Sequence, residues 1–205
     1  MAGYFDRVDS FTGTAAAAAP QLYPLAVMHE RLLPREFPGG RLRRLRREDC
    51  ESFQAYRRLP ELNRYQGGSP MSDAEALGFL IEMSLAPLFA PGRWVQLGIA
   101  EPDADSLIGD IGLHLSDDGG TGQVGYRLHP SAQGRGIASR AVREAVQLLF
   151  TTTEVTQVLG ITDARNLSSI RLLERLGFQH QQTRSAVFRG ESCTEKLYLL
   201  MRDDG

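Results

Sequence analysis

The sequence predicts a mixed α/β (α+β) domain with a mostly antiparallel sheet of about six to seven strands, flanked by helices. Three observations carry that expectation. Segments near 94–100, 107–115 and 121–128 show strand periodicity and are joined by short Gly- and Asp-rich connectors, the mark of an antiparallel meander. From Ala138 the period becomes helical, and a helix, a buried strand and a second helix follow as far as Leu176. Two last strands, about 180–189 and 193–201, meet at the turn Arg189-Gly190-Glu191.

Composition bounds the rest. A chain of 205 residues fits one domain with an appendage and buries a sizeable core without disulfides or metal. Its formal net charge of -2 provides no global field to recruit nucleic acid or an anionic membrane. Lys196 is the only lysine; every other basic residue is arginine. Cys50 and Cys193 have no paired spacing, so neither a disulfide framework nor a metal motif is expected. No apolar run reaches the roughly 18–20 residues of a membrane span. The start, with Asp6 and Asp9, lacks a signal pattern, and a cytoplasmic protein is expected.

Along the chain, residues 1–40 read as an extended or partly disordered arm, with low complexity at "TGTAAAAAP" and prolines at 20, 24, 34 and 38. Gly39-Gly40 reads as a flexible boundary, and 41–205 as the folded domain. A short edge strand is expected near 41–46. Asp49 is placed to cap a helix from Cys50 to about Arg58. Ser72-Asp-Ala-Glu75 has the spacing of a capping box and opens a helix to about Leu85, stopped by Pro87 and Pro91. On the strand near 107–115, Leu107, Ile111, Leu113 and Leu115 fall on one face, and Asp110 and His114 on the other, outward one. Val124, Tyr126 and Leu128 are in phase on the next strand. Ala138, Ala141, Val142, Ala145 and Leu149 share a helix face, "TQVLGIT" is a buried strand, and Ile170, Leu173 and Leu176 face inward from a helix beginning at Asn166. Gly177 is a natural left-handed stop.

The stretch with most chemistry is "HPSAQGRGIASRAV", His129–Val142. Its glycines sit between a strand and a helix, where backbone can approach a ligand and unpaired N–H groups favour an anion. A pyrophosphate fits. A Walker A loop is excluded, because no Gly-Lys-Ser/Thr ending is present. A dinucleotide fingerprint fails too: Ser139 stands where a third glycine is required. A glycine turn that serves geometry alone remains open at this point.

Two motifs in order resolve the choice. Gln133-Gly-Arg-Gly136-Ile-Ala138 resembles the Gln/Arg-x-x-Gly-x-Gly/Ala loop of the GNAT superfamily of acyl-CoA-dependent N-acetyltransferases. Asn166-Leu-Ser-Ser169, followed by a helix ending Gly177-Phe178, is similar to the second signature of that family. Val124-Gly-Tyr126-Arg-Leu128 resembles the preceding strand in the branch that acetylates ribosomal-protein N-termini and some small amines. The resemblance covers about 41–201.

That resemblance implies acetyl-CoA as cosubstrate, no metal, and a central parallel strand pair that splays to admit the pantetheine arm. The arm then pairs with backbone near Tyr126, Leu128 and His129. The pyrophosphate lies on the amides of Gly134, Arg135, Gly136, Ile137, Ala138 and Ser139, Gln133 of the same loop also belongs to the cofactor site, and Arg135 and Arg140 add charge or are plain surface arginines. Asn166 is either a helix cap or a pantetheine contact as well. Ser169 either bonds backbone or protonates the leaving thiolate. Many relatives use a tyrosine four residues later for that step, where this chain has Leu173. Relatives also carry a glutamate base where this chain has Gln123, which cannot take a proton; Asp110, His114 and His129 are the candidates instead. Glu191 and Glu195 either attract a cationic acceptor or lie in a solvated turn. The expected reaction is direct acetyl transfer to a primary amine in a ternary complex, by a monomer or homodimer. A non-catalytic acyl-CoA sensor and a nucleotide-binding domain are the alternatives.

Overall fold

The computed structural model describes residues 32–65 and 71–203. The expected arm therefore lies outside the described residues up to position 31. Its end does not: β1 (Arg35–Phe37) pairs antiparallel with β2 (Gly40–Arg44). Pro38-Gly39 turns the hairpin, with Gly39 at φ 87°, the residue order a type II turn requires. Gly40 is needed for a second reason, since a Cβ there would meet the Phe37 ring at 2.8 Å. Gly39-Gly40 is thus a strand turn and not a linker, and β1, not the segment near 41–46, is the sheet edge.

Strands β3 (Trp94–Ala100), β4 (Leu107–Leu115) and β5 (Thr121–Leu128) form the expected meander. Strand β6 (Gln157–Asp163) runs parallel to β5, and the hairpin of β7 (Gln179–Phe188) and β8 (Glu191–Met201) docks on it through β8. The sheet has eight strands in the order β1-β2-β3-β4-β5-β6-β8-β7. The strand beyond the expected range is β1, hidden in a proline-containing stretch.

Helices cover both faces. Helix α1 (Cys50–Arg57), the short α2 (Pro60–Asn63) and α3 (Asp73–Leu85) precede the meander. Helix α3 opens on its expected capping box: Glu75 N–H donates to Ser72 Oγ at 3.3 Å, and Ser72 N–H donates to Glu75 Oε2 at 2.8 Å. Asp49 precedes α1 but makes no side-chain cap. Its carboxylate instead accepts from Arg46 N–H at 2.8 Å and from the Arg43 guanidinium at 2.7 and 2.8 Å. A buried arginine outcompetes a helix amide for that carboxylate. Helices α4 (Ile137–Thr152) and α5 (Leu167–Arg175) follow β5 and β6. Phe53, Tyr56, Ala76 and Leu80 form one core cluster, with α1 and α3. Val142, Ala145, Leu149, Ile170 and Leu173 pack with Leu97, Ile111 and Val124 in the larger one, with α4 and α5. Among the described residues no helix is long and apolar enough to cross a membrane.

Strand β4 departs from simple alternation. Ile99 pairs with Gly109 and Ala100 with Leu107, so Ile108 is an extra residue. Such a bulge reverses which face later residues take. Leu107 consequently joins the α1–α3 cluster, while Ile108 joins Ile111 and Leu113. The expectation that Leu107 shares a face with Ile111 is corrected by this one inserted residue.

The opposite face of β4 is not outward either. Asp110 is 1% exposed. It accepts from Tyr56 Oη at 2.5 Å, from Arg57 at 2.8 Å and from Gln96, and stands opposite Arg127 in register. Burial pushes its carboxyl up, but the Arg57 and Arg127 charges and the bonds from Arg57 and Tyr56 outweigh that and hold it below its ordinary value. Burial, with the adjoining Asp110 charge, pushes the Tyr56 phenol well up. This cluster fastens α1 to the sheet centre.

Asp110→Asn leaves buried arginines without a counter-charge, at a cost of about 3–5 kcal/mol. The thermal midpoint is expected to fall by roughly 10 °C, read by circular dichroism. Because the folded pKa is lowered, the carboxylate stabilises above its ordinary value of about 4 and loses that contribution as pH falls through the lowered pKa. The difference between wild type and variant is therefore expected to close on acidification; a constant difference would show that the ion pair is not its source.

Candidate active site

Strands β5 and β6 are in register for four rungs, from Thr121 opposite Gln157 to Val124 opposite Gly160. Beyond that, Gly125–Leu128 and 161–163 continue as strand without pairing with each other. The parallel pair parts, and each branch leads into a helix at the same end of the sheet.

The β5 branch enters a short 3-10 turn, Pro130–Ala132, capped by His129. His129 Nδ1 accepts from Ser131 N–H at 3.2 Å and lies 2.7 Å from Ser131 Oγ. Gln133 Nε2 donates to Leu128 O at 3.0 Å and ties the turn back to the strand. Gly134 and Gly136 have φ 73° and 75°, values that disfavour any side chain, and Gly136 is the N-cap of α4. Residues 133–136 are exposed, whereas Ile137 is 2% exposed and anchors the first turn in the core. Ala138 and Ser139 are half-buried. The turn therefore presents backbone amides at a helix N-terminus, which is an anion-binding arrangement. Arg140 donates to the carbonyls of Pro38 at 3.1 Å and Arg135 at 3.2 Å. It is thus neither a free surface arginine nor a wholly mobile one.

The β6 branch reaches α5 through Asn166. Asn166 Oδ1 accepts from Ser169 N–H at 3.2 Å and from Ser168 Oγ at 2.8 Å, a cap in full use. Ser169 Oγ lies 2.8 Å from Tyr126 Oη. One helical turn on, Leu173 is 1% exposed and sits against the strand: a Cβ on Gly160 would meet its Cδ2 at 2.8 Å. The structure thus gathers Leu128, His129, Gln133–Ser139, Asn166 and Ser169 around one fork.

The candidate bases fare differently. Asp110 is saturated by the donors named above. Gln123 and His114 stand opposite each other on β5 and β4, beside the closed rungs and not beside the fork. His114 is 9% exposed, not outward, and packs on Trp94 with ring centroids 5.2 Å apart. Burial pushes its pKa down against a Gly92 hydrogen bond and the Asp117 charge. His129 borders the fork, but its Nδ1 accepts from Ser131 N–H, so in the neutral ring Nε2 holds the proton. Glu195 is 1% exposed, with Arg184 at 3.2 Å and Asp163 opposite it in register. It is therefore not in a solvated turn; Glu191 is exposed. Asp163 holds Arg165 through both its guanidinium and its N–H. Among the described residues no His/Cys/Asp/Glu group could hold a metal. The contact that sequence reasoning passed over is Tyr126–Ser169. The phase of Val124, Tyr126 and Leu128 was the available signal, because it puts the phenol on the face that α4 and α5 cover.

Known proteins agree with this architecture. The chain is 28% identical over 141 residues to an uncharacterized N-acetyltransferase, p20, of Bacillus licheniformis, covering 68% of this chain and 79% of that one. It is 30% identical over 105 residues to an aminoglycoside N(6')-acetyltransferase type 1 of Klebsiella pneumoniae, covering 51% and 52%. Its fold matches a ribosomal-protein alpha-N-acetyltransferase solved with coenzyme A, with a TM-score of 0.69, 14% identity, and coverage of 82% and 97%. The family model for the acetyltransferase (GNAT) domain matches residues 41–179, so the chain belongs to the GNAT acetyltransferases and is an acetyl-CoA-dependent N-acetyltransferase.

Proposed function

We propose that the chain moves the acetyl group directly from acetyl-CoA to a primary amine, either a protein N-terminus or a small-molecule amine, within a ternary complex. The observation that carries this reading is the fork itself. Parallel pairing stops after Val124 and Gly160, and the two branches enter α4 and α5 at the same end. The pantetheine arm enters the gap and pairs with the open edge of β5 around Leu128 and His129, with Asn166 beside it. The pyrophosphate rests on the amides of Gly134–Ser139. Left-handed glycines at 134 and 136 support that placement, because they turn backbone and not side chain toward the ligand.

Ser169 acts as the acid. The amine nitrogen attacks the thioester carbonyl, the carbon–sulfur bond breaks, and the serine proton goes to the sulfur. The N-terminus of α5 favours the negative charge that develops there. Cys50 and Cys193 lie on α1 and β8, and neither belongs to the turn 133–139 or to α5. That supports direct transfer without a cysteine-bound acetyl intermediate. The acceptor classes follow the relatives: one acts on aminoglycosides and one on a ribosomal-protein N-terminus. Thiol release from acetyl-CoA, screened against peptide N-termini, amino acids, polyamines and aminoglycosides, tests the function. Release with none of them would refute it.

Initial rates with both substrates varied are expected to give intersecting double-reciprocal lines; parallel lines would mean a covalent intermediate. Gly136→Asp is expected to weaken coenzyme A binding by tenfold or more in calorimetry, since it adds backbone strain and a like charge at the cradle. Unchanged affinity would place the pyrophosphate elsewhere. Ser169→Ala is expected to lower kcat by roughly 100-fold, with KM for acetyl-CoA changing by less than about twofold.

A further inference from the structure

The hydroxyl of Ser169 makes a single bond among the described residues, and it is not to its own helix. Serine at the third helical position ordinarily turns its oxygen to nearby backbone. Here Asn166 has already satisfied the Ser169 N–H, and Ser169 Oγ reaches instead across the fork to Tyr126 Oη, 2.8 Å away and 43 residues earlier in the chain. Tyr126 lies two positions past the last parallel rung, so the bond spans the two branches where they have already separated. Both residues are half-buried, at the mouth and not in the sealed core. Leu173, one turn on, is closed against Gly160 and brings no hydroxyl. The phenol comes from the opposite wall.

We infer that Tyr126 is a positioning residue for Ser169, aiming the serine proton at the thioester sulfur; the inference rests on the reading of Ser169 as the acid. A phenol is far more acidic than an alcohol, so in this pair Tyr126 donates and Ser169 accepts. The serine's own proton is then directed away from the tyrosine. In the step, the N–C bond forms and the C–S bond breaks with its electron pair on sulfur. Ser169 gives its proton to that sulfur and takes the phenol proton of Tyr126. The proton shed by the acceptor nitrogen passes to solvent, and solvent returns one to the phenolate.

The test is a double-mutant cycle in the full chain: Tyr126→Phe, Ser169→Ala and both together. The readout is thiol release with the fastest acceptor of the panel, or release to water where no acceptor exceeds it. Calorimetry with coenzyme A checks that each variant keeps its binding site. Tyr126→Phe is expected to lower kcat by about tenfold with KM for acetyl-CoA within about twofold, and the double variant to be no slower than Ser169→Ala. Effects that multiply in the double variant, or an unaltered kcat in Tyr126→Phe, would overturn the inference. An unaltered rate in Ser169→Ala removes the serine as acid, and the tyrosine's role with it. An impaired Ser169→Ala beside an unaltered Tyr126→Phe removes the tyrosine alone. A second measurement does not depend on how Tyr126→Phe folds: a proton inventory of wild-type kcat in mixed water and deuterium oxide is expected to curve, because two protons move in the one step. A linear inventory would count against the relay.

Discussion

The termination of pairing between β5 and β6 governs the rest of this protein. Parallel strands need a crossover between them, and here that crossover is α4; a second helix, α5, leaves the far end of β6. Strand direction then forces both helices to begin at the same end of the sheet. Their unpaired N–H groups converge where the sheet has come apart. An opening lined by strand edge on one side and helix termini on two others suits an extended, anion-bearing ligand, and no side-chain chemistry is needed to create it. Side chains refine it: glycines at 134 and 136 let the turn form, Asn166 completes α5, and Ile137 seats α4 in the core.

A separation at the sheet centre needs firm support on its flanks. The α1 face supplies that through a buried carboxylate, with Asp110 collecting donors from β3 and α1 and facing the Arg127 charge on β5. On the other flank, β8 zips along β6 over seven rungs, from Gln157 opposite Met201 to Asp163 opposite Glu195. Leu173 pressed against Gly160 fixes α5 to the closed part of the pair. The opening is thus a gap in a rigid frame, and the acidic residues around it belong mainly to that frame.

Most of the architecture was legible because periodicity reports burial directly. The meander, the helices at 137 and 167, the capping box at Ser72 and the left-handed Gly177 all follow from local pattern. What was not legible depended on partners distant in sequence. Asp49 reads as a cap until Arg43 is seen beside it. His114 and Asp110 read as outward because a strand pattern does not reveal that helices cover both faces. The Ile108 bulge leaves no trace in alternation except a phase error at Leu107. At the site, the glycine turn and Asn166-x-x-Ser169 were visible as spacing, whereas the Tyr126–Ser169 contact joins residues that only the fork brings together.

Arg140 carries a consequence of its own. Its guanidinium is held by two neutral carbonyls, Pro38 and Arg135, the first of them 102 residues away in the chain. The cation therefore hangs beneath the left-handed glycine of α4, 3.6 Å from where a Cβ on Gly136 would be. Its orientation is set by protein groups alone. The β1–β2 hairpin is in this way wired to the electrostatics of the glycine turn: rebuilding the Pro38-Gly39 corner would retune the potential at the mouth of α4 without altering a single residue of 133–136.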